Sequence, residues 1–164
     1  MIYQKAYSTE SGLDAVDFRK PVPVKSNIKG MLFNGFQRNL FTHTKFDSDP
    51  ERRMAVVIEQ DRTVEKWFRP SKRDLQIEYR ADDQYTPDFI VECKAEKYMV
   101  EVKADNEMDD PEVRAKAKRA SEWCHEASTY ELTHKGKPWQ YLLIPESACV
   151  ETMDLHGLRQ RYAV

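Results

Sequence analysis

Asp88, Glu101 and Lys103 are the residues of this chain whose types and spacing can do chemistry. They belong to two apolar stretches, Asp88-Phe89-Ile90-Val91-Glu92 and Tyr98-Met99-Val100-Glu101-Val102, which are separated only by Cys93 to Lys97. Rich in β-branched and aromatic residues, the two stretches should pair as a hairpin. A turn centred between Ala95 and Glu96 sets Asp88 opposite Lys103 and Ile90 opposite Glu101. Glu101 and Lys103 then project from one face, with Asp88 a diagonal step from Glu101. Slipping the turn by a single residue would carry Asp88 to the other face.

Two acids on adjacent strands of an apolar segment repel each other and lose solvation unless a cation sits between them. Hard oxygen ligands with open positions suit Mg²⁺, with Mn²⁺ as a substitute. Such an ion polarises a phosphoryl oxygen and acidifies a bound water, while a nearby lysine orients that water or neutralises developing charge. That is the equipment of phosphodiester hydrolysis. The competing reading makes the acids a guard against edge-strand aggregation. Lys103 would then be a solvated partner of theirs, in a pair worth under about 1 kcal/mol. The apolar flanks of Asp88 and Glu101 favour an interior strand and hence metal binding.

The elements that must position these groups are legible around them. Ser48 with Glu51 three residues later has a capping-box pattern, and Pro50 falls in the first turn, so a helix should run from about Asp49 to Asp61. Glu51 lies on the same stripe as Met54, Ala55 and Ile58, which turns one carboxylate toward the core side. Capping alone also accounts for a glutamate there. Leu75, Ile77 and Tyr79 alternate with Gln76 and Glu78, the period of a half-buried strand and the expected first strand of the sheet. Asp110 as a cap, Pro111, and then Val113, Ala117, Ala120, Cys124 and Ala127 describe an amphipathic helix from about Pro111 to Ser128. Trp139 to Ile144, closed by Pro145, reads as a strand buried on both faces. The fold class is therefore α/β, a central mixed sheet flanked by helices, in the order α-β-β-β-α-β. Residues 1–46 look irregular, with Pro21, Pro23, Gly30 and Gly35 interrupting them, and read as an N-terminal extension packing on a core domain of 47–164. The two together form one structural domain.

Composition narrows the classes. The chain has 164 residues, 40% hydrophobic and 33% charged, which suits a globular protein with a packed core. No apolar run is long enough to span a bilayer and Met1 to Glu10 lacks the features of a signal peptide, so a cytoplasmic location is expected. Cys93, Cys124 and Cys149 are far apart, without metal-ligand spacing, and read as reduced core residues. The four histidines show no ligand spacing either, and Trp67, Trp123 and Trp139 suit core packing. No GxxxxGK phosphate loop occurs, so no ATP site is expected. The net charge is −2, which means that any grip on a polyanion is local or borrowed. Arg114, Lys116, Lys118 and Arg119 are the candidate basic face for DNA phosphates, or else a solvated helix surface.

Tyr85-Thr86-Pro87-Asp88-Phe89-Ile90-Val91-Glu92 followed by Tyr98-Met99-Val100-Glu101-Val102-Lys103-Ala104 resembles the PD-(D/E)xK nuclease signature, and the upstream Glu51 matches as well. More narrowly, FDSDPERRMAVVIEQD, VEKWFRP, the hairpin, a helix containing Trp123-Cys124, and WQYLLIP look like the C-terminal endonuclease domain of type III restriction enzyme restriction subunits. The resemblance spans roughly residues 36–146. It implies a restriction-endonuclease-like core in which Asp88, Glu101 and the Val102 carbonyl hold Mg²⁺, Lys103 assists the water, and Glu51 completes the site. It also implies DNA as substrate, a helicase-like motor domain, and a methyltransferase subunit as partner. Neither motor nor methyltransferase motifs occur in this chain, which fits an excised domain or a stand-alone relative. A non-catalytic docking or DNA-binding module on the same fold, and a nuclease of DNA repair or RNA processing, remain the alternatives.

Overall fold

The computed structural model describes residues 14–81 and 83–164. Four strands form the central sheet in the order β3, β6, β7, β8: Val64–Phe68, Phe89–Cys93, Lys97–Lys103 and Trp139–Pro145. β6 runs antiparallel to both β3 and β7, while β7 and β8 are parallel. A parallel pair needs a crossover, and α2, Pro111–Thr133, supplies it. β7 and β8 are buried along most of their length, as strands covered on both faces must be. The mixed sheet with flanking helices is thus as the sequence reads.

Helix α1, Asp49–Gln60, begins where expected. The Ser48 side chain accepts from the Glu51 N–H at 3.4 Å, and Glu51 reaches back to the Asp47 N–H at 3.0 Å, a variant of the capping box. Met54 to Ile58 are all buried, a wider face than the stripe at 54, 55 and 58. The extra cover comes from the segment before the helix. Phe18, Phe33, Phe36 and Phe46 join α1 and one face of the sheet in a single apolar cluster. Arg52 is buried with them, bonded to Asp49 and to the Phe18 carbonyl. That segment is more ordered than its prolines and glycines imply. It holds a short parallel pair, β1 (Ala15–Asp17) with β2 (Leu32–Asn34), and a 3₁₀ turn over Lys25–Gly30.

Two expectations need correction. The 75–79 alternation does not open the central sheet. It forms β4, Ile77–Arg80, which pairs with β5, Asp83–Tyr85, as a separate ribbon packed under α2 through Ile77, Tyr85, Ala117 and Ala120. The first central strand is β3. Its register shifts between Val64 and Lys66, so its buried residues Val64 and Trp67 fall three apart, which hides the two-residue period. The hairpin turn also lies one residue earlier than expected. Phe89 pairs with Val100, and the Cys93 N–H bonds the Glu96 carbonyl at 2.8 Å. Extending this ladder puts Asp88 opposite Glu101 instead of Lys103. Because partners move by two, every face is preserved, which corrects the expectation that a one-residue slip of the turn carries Asp88 to the other face; only a change in the parity of the paired numbers would do so.

Helix α2 continues past Ser128 to Thr133 and stops where Lys135 takes φ 59° and the Gly136 N–H returns to the Glu131 carbonyl. Beyond β8 a short helix α3, Leu155–Tyr162, buries Leu155 and Leu158 in the main cluster. The three cysteines are buried and free. Among the described residues, no helix is long and apolar enough to cross a membrane.

Candidate functional site

One end of the sheet gathers the chemistry. There the chain leaves β3 at Arg69, enters β6 at Asp88, and leaves β7 at Lys103, while the N-terminus of α1 brings up Glu51. Pro87 favours an extended entry into β6, and Asp88 prolongs the ladder with its side chain: Oδ2 accepts from the Val102 N–H at 2.8 Å. Pinned between β6 and β8, β7 holds Glu101 at 6% exposure. Glu101 Oε1 meets Lys103 Nζ at 2.8 Å, whereas Oε2 is buried without a hydrogen-bond partner. A buried oxygen left in that state costs about 1–3 kcal/mol, more when charged.

The electrostatics follow from this crowding. Burial pushes the Asp88 carboxyl well above the usual carboxylate range, and repulsion from Glu101 and Glu51 pushes it further. Burial likewise raises Glu101, against the pull of Lys103. For Lys103 burial disfavours the charge, but the Glu101 carboxylate outweighs it and raises the ammonium above its ordinary value. On the α2 side of the sheet, burial and the nearby Glu101 keep the Tyr85 and Tyr141 hydroxyls protonated.

Glu51 is 8% exposed and fully engaged. It takes the Asp47 N–H and the Ser48 hydroxyl, each at 3.0 Å, and Arg69 Nη2 at 2.7 Å. The same Nη2 lies 3.2 Å from Asp47 Oδ2 and 3.8 Å from Asp88 Oδ1. Arg69 follows β3 and precedes Pro70, which keeps it extended, and its guanidinium rests on the Phe46 and Phe89 rings at 5.5 and 5.6 Å. The sequence reading missed Arg69, whose signal is a lone arginine between an aromatic strand end and a proline.

A cavity of about 260 Å³ opens beside these groups, lined by Ser48, Glu51, Val102, Lys103, Glu107 and Glu146. Glu107 and Glu146 were also missed. A second cavity of about 190 Å³, largely apolar, lies elsewhere against Trp67, Ile90 and Trp139 and touches none of the four predicted catalytic residues.

The structure therefore brings Asp88, Glu101 and Lys103 together as read, with Glu51 joined to them through Arg69. Among the described residues, no set of three His, Cys, Asp or Glu side chains is placed to hold a metal ion. Glu51 is turned toward its cap and Arg69, which leaves the Asp88 and Glu101 carboxylates, with Asp88 Oδ2 taking the Val102 N–H and Glu101 Oε2 unpartnered. The two carboxylates, one of them with an unsatisfied buried oxygen, supply the hard oxygen donors that divalent cations such as Mg²⁺ take.

Most of the predicted basic residues of α2 pair with acids outside this cluster. Arg114 pairs with Asp109 at 2.8 Å, Lys116 with Glu112 at 2.6 Å, and Arg119 with Glu122 and Glu126 at 3.5 and 3.4 Å. Lys118 is exposed. These pairings neutralise most of the charge offered to phosphates. No family model matches the chain, and no curated protein matches it either.

Proposed function

We propose that this chain is a metal-dependent DNA endonuclease domain with a restriction-endonuclease-like core, working in the cytoplasm as the nuclease part of a type III restriction-modification system. The observation that carries the reading is the pair of half-buried Asp88 and buried Glu101, with one Glu101 oxygen unpartnered and, on the other, Lys103, which lines an open cleft. Asp88, Glu101 and the Val102 carbonyl would hold Mg²⁺ or Mn²⁺. Bound there, the ion supplies a Lewis acid for the phosphoryl oxygen and lowers the pKa of a water.

The remaining work belongs to the chain. Lys103 is held as an ammonium by Glu101, so it donates a hydrogen bond to a phosphate oxygen or to the attacking water and does not take its proton. Asp88 is fixed through the Val102 N–H, and that bond orients the second carboxylate acceptor. Glu51 acts through Arg69, holding the wall of the cleft. The ion-paired α2 surface and the net charge of −2 support a DNA grip supplied by a motor domain and a methyltransferase subunit.

The test is incubation of the protein with supercoiled plasmid and, separately, with structured RNA, each with Mg²⁺ or with chelator, alone and with candidate motor and methyltransferase subunits. Metal-dependent plasmid nicking that Lys103→Ala slows is expected. RNA cleavage alone would move the reading to RNA processing, and no cleavage under any combination would leave a docking or DNA-binding module.

A further inference from the structure

Arg69 has an unusual position for a surface arginine of a strand end. A single nitrogen, Nη2, faces carboxylate oxygens from three segments: Asp47 before α1 at 3.2 Å, Glu51 within α1 at 2.7 Å, and Asp88 at the mouth of β6 at 3.8 Å. Its other nitrogens bond the backbone, Nε to the Asp88 carbonyl and Nη1 to the Lys45 carbonyl. The side chain is 14% exposed, and its guanidinium lies against the Phe46 and Phe89 rings. This is a seat for a cation, filled by the protein itself.

Asp88 divides its two oxygens. Oδ2 faces the Val102 amide, on the side of Glu101, and Oδ1 faces Arg69. Ions of a two-metal site sit roughly 3.5–4 Å apart, close enough for one carboxylate to serve both. Given the metal pair proposed above, we infer that Arg69 stands in place of a second divalent ion, so that the centre binds one metal and Arg69 is the positioning residue that keeps it so. A fixed monovalent charge there also ties Glu51 to Asp88 without needing a second ion to assemble the site.

The test counts ions. Mn²⁺ binding is measured by calorimetry, and spin coupling between ions by electron paramagnetic resonance, on wild type, Arg69→Met, Arg69→Gln and Arg69→Lys, each checked for folding by circular dichroism. One uncoupled Mn²⁺ per chain in wild type and Arg69→Lys, and two coupled ions in whichever of Arg69→Met and Arg69→Gln folds, is the expected result. Two ions in wild type, or one in the folded neutral variants, would overturn the role of Arg69 while leaving the metal pair intact. No Mn²⁺ on wild type would instead overturn the metal-site reading and this inference with it.

Discussion

The two ends of strand β6 carry the same kind of residue under opposite conditions. At its exit Glu92 is 23% exposed and meets two lysines, Lys66 at 3.1 Å and Lys137 at 2.8 Å. Lys137 also bonds Glu65 and the Cys93 carbonyl, clasping β3 to β6. Burial works against the Glu92 charge, but the lysines win and hold its carboxyl below the usual range. At the entry Asp88 is 17% exposed and faces two other acids, and its carboxyl is held far above that range. Burial raises both carboxyls, but two lysines overcome it at Glu92, while at Asp88 repulsion from Glu101 and Glu51 adds to it and Arg69 only partly opposes it. Glu92 has enough cations to settle its charge, whereas the single arginine nitrogen at 3.8 Å from Asp88 does not offset burial and two neighbouring acids, the kind of perturbed group that marks candidate sites.

The largest expected effect sharpens that contrast. Asp88→Asn should lower cleavage by at least roughly a hundredfold, a loss typical of removing one preorganised polar group, because it withdraws a metal ligand yet keeps an acceptor for the Val102 N–H. Without metal the same variant should melt about 2–4 °C higher than wild type, since a repelling charge has gone. Plasmid cleavage and a melting scan check both. A drop in both would make Asp88 a structural acid like Glu92.

Next comes Lys103→Ala, expected to slow cleavage by roughly a hundredfold with metal binding retained. Single-turnover rates at saturating Mg²⁺ read it. Equal loss of metal affinity would show that Lys103 only orders Glu101.

Acidity breaks the comparison in a third way. Asp88 and Glu101 have folded values raised above their unfolded ones, so metal-free stability falls as pH rises through those raised values. Glu92 is lowered, so its contribution is present above its unfolded value and is lost as pH falls through the folded one. Moving the metal-free protein from neutral to mildly acidic solution should therefore raise its melting temperature. Asp88→Asn should show a smaller rise, and Glu92→Gln the same rise as wild type.

The smallest effects belong to the pairs. Lys137→Met should cost about 1 kcal/mol or less in denaturant unfolding, being partly exposed, and leave cleavage unchanged.

What the sequence made legible was whatever rests on local periodicity. Ser48, Glu51 and Pro50 announce the start of α1, Asp110 and Pro111 that of α2, and the alternation of Glu101 and Lys103 puts both on one face. Tertiary choices were not legible in the same way. The bulge in β3 removes its period, and the hairpin turn is fixed by one backbone bond that adjacent turn positions compete for. Phe18 to Phe46 complete the core across a segment whose prolines and glycines advertise only irregular chain. Arg69 has no spacing relation to the acids it joins, which lie 22, 18 and 19 residues away, and only the meeting of three segments brings them together.

The most direct measurement is a calorimetric Mg²⁺ titration of wild type beside Asp88→Asn. Saturable binding in wild type that is lost or weakened at least tenfold in the variant is the result expected if the Asp88 and Glu101 pair is a metal centre. Absence of binding in wild type, or equal binding in both proteins, would contradict it.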